Sequence, residues 1–129
     1  VEPLLTLGEK EGEKLDLKKA GTFPLVHGIR SLALANRLSA VTTVGRIEAL
    51  AANGKLPEKL AADLIDSLHF FMGLKLKIGL QEIDTGHAVS GGIQMEKLSS
   101  LDRDLLKDTL GVVKLFKTLL TQRFHLEAV

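Results

Sequence analysis

The chain has 129 residues, 45% hydrophobic and 26% charged, a globular balance and enough length for one domain with its own core. Its 17 Lys and Arg stand against 16 Asp and Glu, a net charge of +1, which argues against a dedicated DNA-binding domain but leaves room for a local cationic pocket. With no Cys, Trp or Tyr and 5 Phe, it excludes disulfides, Cys-ligated zinc, iron–sulfur clusters and a cysteine nucleophile, and offers few stacking platforms for single-stranded nucleic acid.

Residues 1–20 stand apart from the rest. Leu4, Leu5 and Leu7 precede the charged turn from Gly8 to Gly12, and Leu15-Asp16-Leu17-Lys18 alternates apolar and polar. Two short apolar runs around a Gly-bounded turn predict a β-hairpin; a frayed linker is the alternative. The opening Val1-Glu2-Pro3-Leu4 is no signal peptide and lacks an initiator Met, so the chain reads as a piece of a longer protein. No apolar run is long enough to span a membrane. The lack of Cys fits a cytoplasmic location.

Pro24 opens a first helix, with Leu25, Ile29, Leu32 and Ala33 at helical spacing through Arg37. A second, capped by Thr42 or Thr43, runs through Ile47 and Leu50 and stops at Asn53-Gly54. Pro57 starts the longest, to about Asp84. Leu60, Leu64, Leu68, Phe71, Leu74 and Ile78 fill one stripe; Ala61, Ile65, Met72, Leu76 and Ile83 fill the adjacent one. The pair predicts a wide buried face at the centre of a bundle. Gly73 and Gly79 inside it predict close approach of another helix or a ligand, or else a weak spot. Residues 85–99 lack periodicity and read as a loop. Ser99, with Asp102 three residues on, caps a last helix of similar length. The fold class that follows is mainly α: an antiparallel four-helix bundle with a short N-terminal β-hairpin.

Little in the chain carries chemistry. G-x-x-x-x-G-K-S/T and H-E-x-x-H are both absent. Asp66 and His69 make a single D-x-x-H where a di-iron bundle needs more, so no metal site is expected. Helical-bundle ribonucleases of the HEPN type carry Arg five to seven residues before His; Arg123 and His125 have the wrong spacing. Asp102 and Asp104 suit a helix start better than two-metal catalysis. What remains is cationic. Arg30 and Arg37 share a helical face, and Arg46 lies one turn beyond Thr42-Thr43, a pattern suited to an anion.

Leu15-Asp16-Leu17-Lys18, Phe23-Pro24-Leu25 and Arg30-Ser31-Leu32-Ala33-Leu34 resemble the opening of the nucleotidyltransferase substrate-binding domain family. Thr43-Val44-Gly45-Arg46 resembles its T-x-x-R motif, and Leu74-Lys75-Leu76-Lys77 its L-R-L-R helix. Leu98-Ser99, Arg103, Leu106-Lys107 and Val113-Lys114 resemble its final helix. The chain departs from the pattern at Ile78-Gly79, where His-Gln is expected, and at Gly91, Met95 and Lys117, where Asn, Pro and Gln are.

The resemblance implies a C-terminal domain that follows a catalytic nucleotidyltransferase domain. That domain in turn often follows a CBS pair or a cyclic-nucleotide-binding domain, and the whole looks like the bacterial signal-transducing enzymes that adenylylate glutamine synthetase or uridylylate its regulatory protein. Residues 1–20 would be hairpin or linker from the catalytic domain, and 21–129 the helical substrate-binding domain. The bundle would close over the cleft and help hold nucleotide or protein acceptor, through Lys18, Arg30, Thr43 and Arg46, with Lys75 and Lys77 next. Catalytic carboxylates, Mg²⁺ and nucleoside triphosphate would belong to the parent protein, so this chain alone is expected to be inactive. The alternative reading is a helical interaction module that forms a homodimer or docks a partner protein through its third helix, with Phe70 at the interface.

Overall fold

The computed structural model describes residues 14–87 and 92–128. Four α-helices carry the architecture: α1 (Phe23–Ala35), α2 (Thr43–Ala52), α3 (Glu58–Asp84) and α4 (Ser100–Ala128). α1 packs on α2 and α4, and α3 packs on the same two, which closes the bundle into a ring. Lys77, near the end of α3, bonds Asp102 at the start of α4, so these two long helices run antiparallel.

The helix ends follow local chemistry. Thr42 has extended backbone and its Oγ1 accepts from the Gly45 amide at 2.9 Å, which makes it the cap of α2. Ser99 Oγ accepts from the Asp102 amide at 3.1 Å and starts α4. α1, α2 and α3 each end in a turn where the second residue past the cap bonds back to a carbonyl five positions earlier: Leu38 to Ala33, Lys55 to Leu50 and His87 to Glu82. Such a turn needs a left-handed residue. Gly54 and Gly86 supply it after α2 and α3, at φ of 71° and 78°. After α1 the position is Arg37, at φ 55°, a conformation that disfavours any residue with a Cβ.

The strand at Leu15–Asp16 (β1) forms as the alternation predicts, antiparallel to Gly92–Ile93 (β2), with Leu15 opposite Ile93. Its partner therefore comes from the segment that reads as a plain loop; Met95–Lys97 there adds a single 3₁₀ turn. The first arm of the expected hairpin, Leu4 to Leu7, lies outside the described residues. Lys18 is helical rather than extended, in a π turn at Lys18–Thr22 that leads straight into α1. Burial drives this switch. Leu15, Leu17 and Ala20 all join the bundle core, a spacing a continuing strand would not serve.

The core is one cluster, centred on Leu25, Ile29, Ile47, Leu50, Leu64, Phe71, Leu106, Val113 and Phe116. Two expectations for α3 need correction. Its first stripe is buried as far as Leu74 and half-buried at Ile78, but its second is buried only near the N-terminus: Met72, Leu76 and Ile83 are exposed. The reason is length. α2 reaches about 15 Å and α3 about 40 Å at 1.5 Å per residue, so α2 has too little length to flank all of α3. Among the described residues Gly73 serves no close approach, because a Cβ there would meet nothing within 4 Å. Phe70 is half-buried against the core.

Candidate functional site

The π turn and α1 place a cationic and aromatic stripe on the surface. Asp16 Oδ1 accepts from the Lys19 amide at 3.3 Å at the start of the turn. The turn then carries Lys18 back over α1, where its Nζ lies 5.6 Å from the centroid of the Phe23 ring. Phe23 in turn stacks on His27, one helical turn on, with centroids 5.2 Å apart and planes 11° from parallel. Arg30 continues the same face at i+3 from His27, and is exposed. Phe23 remains 44% exposed, although most aromatic area in a small domain is buried.

The stretch of sequence that builds this stripe carries charge of one sign. Between Asp16 and Glu48 the chain has no acidic residue, while Lys18, Lys19, Arg30, Arg37 and Arg46 all fall there. A nearly neutral protein thus carries a run of positive charge through the π turn and α1 with no acidic residue inside it. Sequence reasoning singled out Lys18 and Arg30 but missed Phe23 and His27. The signal that could have found them is the acid-free run, together with an aromatic and a His spaced i, i+4 on a polar face.

The other predicted site residues lie elsewhere, and among the described residues no hydrogen bond, ion pair or ring contact joins them to the stripe. Thr43 is half-buried in the first turn of α2. Arg46 Nε donates to the Ala40 carbonyl at 3.0 Å and ties down the α1–α2 connection. We expect Arg46→Ala to lower stability by about 1.5–3 kcal/mol, the net worth of a hydrogen bond that involves a charged group, and to leave anion affinity within twofold. Urea denaturation beside a ligand titration separates the two effects. Lys75 and Lys77 are two residues apart on α3 and so face different sides. Lys77 Nζ lies 2.6 Å from Asp102 Oδ2, which neutralises it locally.

A separate cleft of about 420 Å³ lies beside the end of α3, lined by Lys14, Ile78, Glu82, Thr85, His87 and Lys97 among others. Thr85 Oγ1 and His87 Nδ1 are bonded there at 2.8 Å. Its cations share the space with Glu82 and with the carbonyl end of a helix, a poor setting for a polyphosphate. The acid-free stripe on α1 is the better anion surface.

A family model described as "Putative nucleotidyltransferase substrate binding domain" matches residues 2–124. The chain belongs to this family. No curated protein and no solved structure matches it. The family's description implies a nucleotidyltransferase partner domain. Among the described residues of this domain, no three His, Asp or Glu side chains converge as a metal ion would require. Nor is any described helix long and apolar enough to cross a membrane.

Proposed function

We propose that this chain is the non-catalytic substrate-binding domain of a nucleotidyltransferase, and that it holds the nucleotide on the Lys18–Phe23–His27–Arg30 stripe. The stacked, half-exposed Phe23–His27 pair between two cations carries the reading. A purine has a π face to lay on Phe23, and its phosphates carry the charge that Lys18 and Arg30 lack.

The division of labour follows from what the residues can do. The transfer at the α-phosphate, with the charge stabilisation that metal ions would supply, would belong to the catalytic domain. This chain binds and orients. Packing on the base fixes the nucleotide's position, and Lys18 and Arg30 offset the charge of the outer phosphates. A bundle that closes on the cleft as a lid also excludes water from the reaction.

The test is calorimetric titration of ATP, with and without Mg²⁺, into the 129-residue chain and two variants. Stacking is worth ~1–3 kcal/mol per base, so Phe23→Ala is expected to weaken binding about tenfold or more. Arg30→Ala should weaken it by a similar factor through its charge-assisted contact. Affinity unchanged in both variants would reject the stripe as the nucleotide site.

A further inference from the structure

The stripe on α1 holds an aromatic pair and two cations, and it is also marked by what it lacks. From Leu17 to Ala35 the chain has no Asn, Gln, Asp or Glu, the side chains whose fixed donors and acceptors read a base edge. The nearest on either side are engaged. Asp16 Oδ1 accepts from the Lys19 amide at 3.3 Å, and Asn36 Nδ2 donates to the Leu32 carbonyl at 2.8 Å. The backbone offers no substitute at Phe23, whose amide donates to the Lys18 carbonyl. The neutral polar side chains on this stretch are His27, Thr22 and Ser31. Each donates or accepts according to tautomer or rotamer, so none picks out one base.

We propose that the stripe selects nucleotides by their phosphates and not by their base, so that its substrate class is the nucleoside triphosphates of any base; this rests on the stripe being the nucleotide site. Stacking on Phe23 and His27 needs only a π face, which every base has. The two cations, by contrast, are set apart along the helix. Lys18 Nζ stands at the base end, 5.6 Å from the Phe23 centroid. Arg30 comes seven residues after Phe23 in the same helix, two turns on along the same side, which is roughly 10 Å at 1.5 Å per residue.

That separation acts as a measure of phosphate number. A monophosphate ends close to its sugar and meets Lys18 alone. Only a longer phosphate chain carries charge from a base on Phe23 out to Arg30, whose guanidinium takes two phosphate oxygens at once. Among the described residues neither cation has an ion-pair partner that a phosphate would have to displace. The same distance keeps Arg30 from forking onto a guanine edge, the base contact it is best suited to make. Any choice of base then falls to the partner nucleotidyltransferase domain.

Calorimetric titration of the 129-residue chain with ATP, GTP, CTP, UTP and AMP tests this, without Mg²⁺ so that the phosphate charge is not offset. ATP and GTP are expected to bind within about fivefold of each other, the smallest effect of a two-point base contact. CTP and UTP should follow by less than about tenfold, because only stacking area separates them from the purines. AMP should bind at least about tenfold more weakly than ATP, through the loss of one charge-assisted contact. Arg30→Ala should weaken ATP and leave AMP within about twofold, whereas Phe23→Ala should weaken both alike. A larger gap between ATP and GTP would overturn the proposal and leave the site standing. AMP as tight as ATP, or a preference for ATP that survives Arg30→Ala, would overturn it too. If no nucleotide binds, the functional reading itself fails and takes this proposal with it.

Discussion

Phe71→Ala is expected to lower the unfolding free energy by about 3–5 kcal/mol, the range for removing a fully buried ring from a core that relaxes only in part. Phe71 is 1% exposed. It projects from α3 beneath the π turn, so closely that an added Cβ at Gly21 would lie 2.4 Å from its Cζ. It also packs tilted against Phe70, with ring centroids 6.3 Å apart. Removing it leaves a cavity under the turn that presents Lys18. A chain of this size has a total stability of about 5–15 kcal/mol, so the loss is a large share of the whole. Urea denaturation followed by circular dichroism checks it. Phe71→Leu should cost less than half as much, because most of the volume stays.

Gly28→Val is the second large effect, and it works by excess rather than by loss. Even a single Cβ at Gly28 would lie 2.5 Å from Leu120 Cδ1 and 2.7 Å from Phe116 Cε2. Leu120 is half-buried and can shift, but Phe116 is fully enclosed and cannot. Val adds two further methyl groups where α1 lies against Phe116 and Leu120 of α4. Overpacking of this kind costs about 1–3 kcal/mol, and Val recovers only a fraction of the ~1 kcal/mol by which Gly trails Ala in a helix. We expect a net loss of about 2 kcal/mol from thermal or urea unfolding. Combining Gly28→Ala with Phe116→Leu should cost less than the sum of the two singles, because the smaller side chain makes room for the new Cβ.

Much of the helical frame was legible in the sequence, because its ends are written in local chemistry. Pro24, Pro57, the Asn53-Gly54 stop and the Ser99 cap each act on the backbone within a few residues. Arg37 shows where that language fails. It occupies the left-handed position after α1 that Gly54 fills after α2, and no residue type announces it. The pairing of Leu15 with Ile93 was not legible either. It joins segments far apart in the chain, and a two-residue strand leaves no periodicity to read.

The long-range consequences of helix length were the hardest part. Periodicity shows that α3 has two apolar stripes, but not that α2 is too short to flank the second. The candidate site was half legible for the same reason. Lys18 and Arg30 stand out as cations in motif positions. Their connection through Phe23 and His27 depends on Lys18 being helical, and that follows from the burial of Leu17 and Ala20 rather than from the alternation at Leu15-Asp16-Leu17-Lys18.

The central claim is that nucleotide sits on the face presented by the π turn and α1. It is tested most directly by a backbone-amide NMR titration of the 129-residue chain with ATP and Mg²⁺. The account predicts shift changes concentrated on Lys18, Phe23, His27 and Arg30, with stacking shifts on the Phe23 and His27 ring protons and none on Met72 or Leu76. Changes concentrated on Thr85, His87 and Lys97 instead would place the ligand in the cleft at the end of α3 and contradict it.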